Sequence, residues 1–435
     1  MVRMRAWSPS TFFRVLAVAF GVSLLTAQEP QPGSLPTANE LHEAVDDYLA
    51  EREDAAALTL LTTILARADA TADAVQTALA APPASVAIGE RMIWSLPYRD
   101  QIVQAAIFVP PGHSRAAPPL PILLVPGGQD SELAAMHLGN TIRMYFVGLY
   151  TPPEFSDEMR DGFLKVLRTV AHLANGDLDR MWLAGFSWAG HSSIDTALHR
   201  PGTLCGNIPM GGGPRRQHFR LMRHLEGVQT LSFCGAKDDA ELLWNLRELA
   251  RIAPGLKIPA TVTIDPERGH ALPLLGMDGI GAILDRTPAL SPQLRQSGYL
   301  LAEVPNIESP YLRIDQIDEN RTKVPTQVSV AAGASPDDQR RAILRSMESK
   351  IVKLTWRIEE KKGERTLTLH GDGVKKATVF LRGPTFTAGT KLTIRAGNKV
   401  VFADTLTADP KTLLEDARRT GNRLRPALRT IAITF

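Results

Sequence analysis

Met181-Trp-Leu-Ala-Gly-Phe-Ser-Trp-Ala-Gly-His191 decides how the rest of the chain is read. The apolar run Met181-Trp-Leu-Ala184 leads into Gly185-Phe-Ser-Trp-Ala-Gly190, and a helix-forming segment follows to Arg200, stopped by Pro201. A strand, a tight turn between glycines and a helix in that order push the serine hydroxyl out beyond the end of a sheet. The small neighbours let helix and strand approach closely. So short a string gains meaning only if an acid and a histidine follow in suitable places.

The surrounding pattern supplies a sheet for this turn. Residues 91–96 and 101–109 suit an antiparallel opening pair. Residues 120–125, Leu-Pro-Ile-Leu-Leu-Val, are apolar without polar alternation, as expected of a central strand covered on both faces. Strands are also predicted at 142–148, 204–210, 228–234 and 259–264, with helices at 217–225 and 240–252. Ser156 is placed to cap another helix, with Asp157 and Glu158 in its first turn and a buried stripe of Met159, Phe163, Val166, Leu167, Val170 and Leu173. Gly176-Asp177 is its expected end. Strands alternating with helices in this way predict βαβ units and a mainly parallel sheet.

An acyl-transfer serine needs a neutral imidazole to take its proton and a carboxylate to hold that imidazole in the right tautomer. The strand at 228–234 runs into Gly235-Ala-Lys-Asp238-Asp239, and the strand at 259–264 runs into Asp265-Pro-Glu-Arg-Gly-His270. Ser187, Asp238 and His270 are therefore the candidate nucleophile, orienting acid and general base, with Asp239 the alternative acid. Asp265 and Glu267 lie too near His270 in sequence to orient it and are expected to be solvated.

Gly185-Phe-Ser-Trp-Ala-Gly190, Gly235-x-x-Asp238 and Gly269-His270 resemble the elbow, acid loop and histidine loop of α/β-hydrolase serine esterases. The resemblance is to the dienelactone-hydrolase, feruloyl-esterase and prolyl-oligopeptidase-like branch and covers roughly residues 88–288. It implies a mainly parallel sheet with helices on both faces, and cleavage of carboxylic esters through an acyl-enzyme with no metal or organic cofactor. It also implies an oxyanion hole built from the N–H of Trp188 and that of Gly128, with Gln129 the alternative. The chain departs from the family twice: Pro126 stands where a histidine usually precedes the glycines, and Ala189 replaces the elbow's second glycine. A serine peptidase is the first alternative, although the β-propeller such peptidases often carry has no room in the short segment before residue 88. A non-catalytic binding protein on the same fold is the second.

Composition narrows the partners. Hydrophobic content of 44% and charged content of 22% are those of a globular protein. The formal net charge of +3 equals the contribution of Arg3, Arg5 and Arg14, which lie in a first stretch free of acids and lysine. The remainder is neutral, so nucleic acid and anionic membrane are not expected partners; a small-molecule or polysaccharide-linked ester is. The arginines, the apolar run Val15 to Leu25 and the small residue Ala27 predict a signal peptide over 1–27, export to the periplasm or exterior, and no stable membrane span after cleavage.

The chain is thus divided into the signal peptide at 1–27, a helical prelude at 28–87, the catalytic domain at 88–288, a linker and helical connection at 289–350, and a small mostly-β accessory domain at 351–435. The prelude is expected as a helical pair on the next domain, its stripe including Leu58 and Leu65. Breaks at Lys362-Gly363 and Gly397-Asn398 read as hairpins, and Asp409, Pro410 and Gly421 bracket one helix. Cys205 and Cys234 fall on neighbouring strands; buried free thiols are favoured over a disulfide. His191, His218 and His224 lack metal-ligand spacing, His370 reads as a strand-surface residue, and Gly211-Gly-Gly213 is expected to be a flexible loop beside the site.

Overall fold

A computed structural model describes residues 38–82, 91–98, 101–126, 138, 140–146, 155–272, 279–291, 293–324, 328 and 332–435. The expected signal peptide and the Gly127-Gly128-Gln129 loop lie outside them. Within Thr37–Phe435, a single compact unit, an eight-stranded sheet has the order β1-β2-β4-β3-β5-β6-β7-β8. Its strands are β1 Arg91–Tyr98, β2 Gln101–Phe108, β3 Leu120–Val125, β4 Ile142–Phe146, β5 Gly176–Phe186, β6 Gly206–Met210, β7 Gln229–Gly235 and β8 Ala260–Asp265. β2 is antiparallel to both of its neighbours, and all other pairs are parallel.

Period-two alternation in the central strands divides the core between the two faces of this sheet. Ile122, Leu124, Met181 and Leu183 join one cluster with Met159, Phe163 and Ile194 from α4 (Asp157–Ala174) and α5 (Trp188–His199). Their neighbours Leu123, Val125, Trp182 and Ala184 join a second cluster with Ile280 and Leu284 of α7 (Ile280–Arg286). Helix α6 (Ala240–Ile252) packs beside β8. Ser156 caps α4 by accepting the Met159 N–H at 3.3 Å. The helix ends one residue before the expected glycine, because Asn175 takes the left-handed cap itself at φ 52°. The expected helix at 217–225 is two tight 3-10 turns, Arg216–Arg220 and Met222–Leu225.

The prelude contains three described helices rather than a pair: α1 Ala38–Ala50, α2 Asp54–Leu65 and α3 Ala72–Ala80. Leu58 and Leu65 are exposed; the buried face of α2 is Ala57, Leu61 and Ile64. An alanine- and leucine-rich segment is apolar on every side, so spacing alone did not select the face. All three helices pack on α9 (Pro410–Thr420) near the far end of the chain, and Arg423 there pairs with Asp46 at 2.6 Å.

The C-terminal part holds two further sheets, β16-β15-β13-β12-β9 and β10-β11-β14-β17. The first contains β9 Ser297–Ala302, β12 Val352–Lys361, β13 Glu364–Asp372, β15 Lys391–Ala396 and β16 Lys399–Thr405. The second contains β10 Ile307–Glu308, β11 Leu312–Ile317, β14 Val374–Leu381 and β17 Arg429–Thr434. Lys362-Gly363 forms a two-residue hairpin, both residues at positive φ, between the paired Lys361 and Glu364. Asp409 caps α9 and Gly421 ends it at φ 71°. The stretch read as linker is not one: β9 pairs antiparallel with β12, and β11 with β14, so the accessory sheets begin near residue 297. A helix, α8 Pro336–Glu348, intervenes between them. His224 stitches the two parts together, its Nδ1–H donating to the Leu198 carbonyl at 2.7 Å and its Nε2 accepting the Leu301 N–H at 2.9 Å. Arg425 clamps Asp179 of β5 through both carboxylate oxygens. Among the described residues, no helix is long and apolar enough to cross a membrane.

Candidate active site

The turn between β5 and α5 is shaped by what its glycines leave out. A Cβ on Gly185 would lie 2.4 Å from the Cβ of Ala189, and one on Gly190 would lie 2.9 Å from the carbonyl oxygens of Gly185 and Met210. Helix and strand can meet this closely only if both positions are bare. The alanine at 189 is no defect, since its methyl fills the space that Gly185 leaves. Ser187 is thereby held at φ 56°, ψ −118°, a conformation costing about 1–3 kcal/mol. Its N–H donates to the Met210 carbonyl at 2.8 Å, and its carbonyl accepts the His191 N–H at 3.1 Å. Trp188 opens the helix, so its N–H belongs to the first-turn donors that have no acceptor within the helix.

Two more loops at the same edge of the sheet bring the partners in. The loop after β7 carries Asp238, and the loop after β8 carries His270. Ala236 donates its N–H to the Asp265 carbonyl at 2.7 Å, and Lys237 donates to the Arg268 carbonyl at 2.8 Å. A Cβ on Gly235 would strike the carbonyls of Arg268 and Gly269 at 2.3 Å, so the loops are nested as well as bonded. Asp265 is buried, not solvated as expected, and its carboxylate accepts the Glu267 N–H at 3.0 Å. It shapes the histidine loop from within. Glu267 is the solvated one, facing Lys237 at 3.3 Å.

His270 Nε2 lies 2.8 Å from Ser187 Oγ, and His270 Nδ1 lies 3.0 and 3.1 Å from the Asp238 carboxylate oxygens. The Asp238 side chain is only 4% exposed, whereas that of His270 is 49% exposed. The acid is sealed in and the imidazole faces outward. Asp238 also accepts the Asp239 N–H at 2.7 Å and the Cys234 thiol at 3.5 Å. Burial, with the Asp238 charge adding to it, pushes that thiol up to about 12, so it stays a donor. Cys205 and Cys234 are both free and buried. Asp239 is occupied elsewhere: it caps α6, accepting the N–H groups of Glu241 and Leu242 at 2.9 and 3.0 Å.

An eight-stranded sheet ordered 1-2-4-3-5-6-7-8 with only its second strand reversed, and a serine on a strained turn after the fifth strand, leave one architecture. The chain has the α/β-hydrolase fold. In α/β-hydrolase terms, Ser187, Asp238 and His270 stand after the fifth, seventh and eighth strands, in the order such folds use. No family model matches the chain, and no curated protein matches it. Among solved structures it is similar to an S-formylglutathione hydrolase from Staphylococcus aureus, at 14% identity and a TM-score of 0.35, covering 45% of this chain and 96% of that one. It is also similar to an esterase of Thermogutta terrifontis, at 13% identity and a TM-score of 0.33, covering 47% and 90%. A third is dipeptidyl peptidase 4 of Porphyromonas gingivalis, at 14% identity and a TM-score of 0.30, covering 41% of this chain and 32% of that one. The present chain thus matches about a third of that peptidase's length.

Around the three side chains the chain is closely packed. Gly211-Gly-Gly213, expected to be flexible, is wedged against the elbow. A Cβ on Gly212 would lie 2.5 Å from the Ser187 carbonyl, and one on Gly211 would lie 2.7 Å from the Phe186 ring. His191 secures the loop, its Nδ1–H donating to the Gly213 carbonyl at 2.6 Å; burial holds its imidazole down near 4, hence neutral. His218 and His224 are buried in the core and His370 is exposed on β13. Phe155 stacks parallel to Trp188 with ring centroids 5.8 Å apart, and the Arg215 guanidinium lies 4.4 Å over the Phe155 ring.

Sequence reading missed the group that holds Phe155. Arg160 of α4 grips the Asp195 carboxylate of α5 at 2.6 and 3.2 Å and donates to the Phe155 carbonyl at 3.0 Å. His218 Nε2 reaches the same carboxylate at 3.2 Å. Burial works to raise the Asp195 carboxyl, but the His218 hydrogen bond and the charges of His199 and Arg160 hold it far below the usual carboxylate range. The one available signal was Arg160 itself, a charge set beside the apolar stripe of α4. Gly128 and Gln129, the expected second oxyanion donors, lie outside the described residues.

Proposed function

We propose that this protein is an exported serine hydrolase that cleaves carboxylic esters through an acyl-enzyme. The observation that carries the reading is a strained Ser187 whose Oγ lies 2.8 Å from His270 Nε2, with His270 Nδ1 held by a buried Asp238. Ser187 Oγ attacks the ester carbonyl as His270 Nε2 takes its proton, and Asp238 fixes the tautomer that leaves Nε2 free to do so. The oxyanion that forms is held by the Trp188 N–H and, from the loop after β3, by that of Gly128. His270 then protonates the departing alkoxide, and a water activated by the same imidazole releases the acid. No metal or organic cofactor enters this sequence of steps. Export follows from the leading arginines and the apolar run 15–25. The ester belongs to a small molecule or to a polysaccharide.

Turnover of a short-chain chromogenic ester by the mature protein and by a Ser187→Ala variant tests the proposal. The wild type is expected to turn over and the variant to fall to background. Hydrolysis of peptide amides without hydrolysis of esters would replace the esterase with a peptidase. Absence of both activities would leave a binding protein on this fold.

A further inference from the structure

A second concave site lies where the hydrolase layer meets the C-terminal sheets. It is a cavity of about 840 Å³ between the Met222–Leu225 turn and the end of α6 on one side, and α8, β9 and β12 on the other. Its hydrolase wall includes Arg251, Ile252 and Leu256, on chain about to enter β8, and Met222 and Arg223, on chain about to enter β7. Ser187, Asp238 and His270 all sit on chain leaving its strands. In a parallel sheet these are opposite edges, so the cavity is not part of the candidate active site.

Six cations line it, Arg220, Arg223, Arg251, Arg341, Arg345 and Lys353, against two carboxylates, Glu248 and Glu348. Glu248 is taken by Arg251 at 2.8 Å and by Arg341 at 3.5 Å, and Arg220 turns to Glu303 at 3.3 Å. Arg223 and Arg345 act on Glu348 through their charges without a close ion pair, and among the described residues Lys353 makes none. The base of the cavity is apolar, with Met222, Leu301 and Leu344 buried beneath the charged rim.

Gathering this many like charges around one opening is unfavourable unless an anion answers them. Guanidinium groups present planar forks that suit carboxylate and phosphate oxygens. The volume is that of a small-molecule site, and the apolar base suits a ring or carbon skeleton better than a bare ion.

We infer that this cavity binds a small polyanion, a compound carrying two or more carboxylate or phosphate groups on a carbon scaffold. An acidic oligosaccharide and a phosphorylated sugar share that chemistry, and the test separates them. Calorimetric titration of the full chain at low ionic strength would use trigalacturonate, fructose 1,6-bisphosphate, inorganic phosphate and the neutral maltotriose. Tighter binding of trigalacturonate supports the acidic oligosaccharide, and tighter binding of the bisphosphate supports the phosphorylated sugar. In either case affinity falls as salt rises. An Arg223→Gln/Arg345→Gln double variant removes two exposed charges that make no close ion pair. It should keep its thermal midpoint and lose affinity by about tenfold or more, the size of a lost charge-assisted hydrogen bond. Ser187→Ala should bind as the wild type does. The inference is overturned if neither organic anion binds, if maltotriose binds as well as trigalacturonate, or if the double variant folds and binds unchanged.

Discussion

His270 meets Asp238 at 3.0 Å, and His218 meets Asp195 at 3.2 Å. Both pairs join an imidazole to a carboxylate with little exposure, yet their surroundings assign them different tasks. His270 is half-exposed and its far nitrogen faces a serine hydroxyl. His218 is 1% exposed, and its far nitrogen accepts the Arg215 N–H at 3.1 Å. Asp238 holds His270 with only neutral donors besides, whereas Asp195 is also gripped by Arg160. A histidine–carboxylate pair can move a proton only if one imidazole nitrogen remains open to a substrate or nucleophile. The second pair has both nitrogens committed, so it serves as a strut that fixes Phe155 against Trp188.

The contrast breaks most readily at the serine. Ser187→Ala and His270→Ala should each lower kcat for ester hydrolysis by about a millionfold, read from initial rates with a chromogenic ester. Asp238→Asn should cost about ten-thousandfold in kcat by favouring the wrong tautomer, with little change in the thermal midpoint. Asp195→Asn should do the reverse. It takes from Arg160 its buried partner and leaves only the part-exposed Asp157 at 3.0 Å, which is expected to lower stability by about 1.5–3 kcal/mol in urea unfolding, while the folded protein keeps most of its kcat. If Asp195→Asn instead abolished turnover without loss of stability, the distinction between the pairs would collapse.

Acid sensitivity extends the structural side of the comparison. Burial holds His172 and His224 down near 4 from an ordinary value of 6.5, and His191 likewise. Between those values the unfolded chain binds protons that the folded chain does not. Stability is therefore full above about 6.5 and falls as the pH drops toward 4, by at most about 1.4 kcal/mol per histidine per pH unit. Urea midpoints measured across that window should fall steadily, and His224→Gln should reduce the slope. The gentlest test is Asp239→Ala. It removes the α6 cap at a cost of about 1 kcal/mol and should leave kcat within a few-fold, unlike any change at Asp238.

What the sequence revealed, and what it hid, follows the range of the forces involved. The elbow was legible because strand, bare positions and helix are contiguous between Met181 and Pro201. Asp238 and His270 were legible because each follows an apolar strand. Asp238 was already preferred to Asp239, and the fold supplies the reason, with Asp239 turned to the helix start. The role of Ala189 likewise awaited its contact with Gly185. β9 was read as linker because Ser297-Gly298-Tyr299 carries no strand alternation, and it forms only by pairing with β12 some fifty residues on. The Arg160–Asp195–His218 cluster joins two helices and a turn that no local pattern relates. Buried charges of this kind declare themselves only once their partners are in place.

The most direct measurement is mass spectrometry of the intact protein and its peptides after exposure to a fluorophosphonate. A single adduct on the peptide bearing Ser187, absent in Ser187→Ala and strongly slowed in His270→Ala, is the predicted result. A wild type that stays unmodified, or one labelled at another residue while Ser187 remains free, would contradict the assignment of Ser187 as nucleophile.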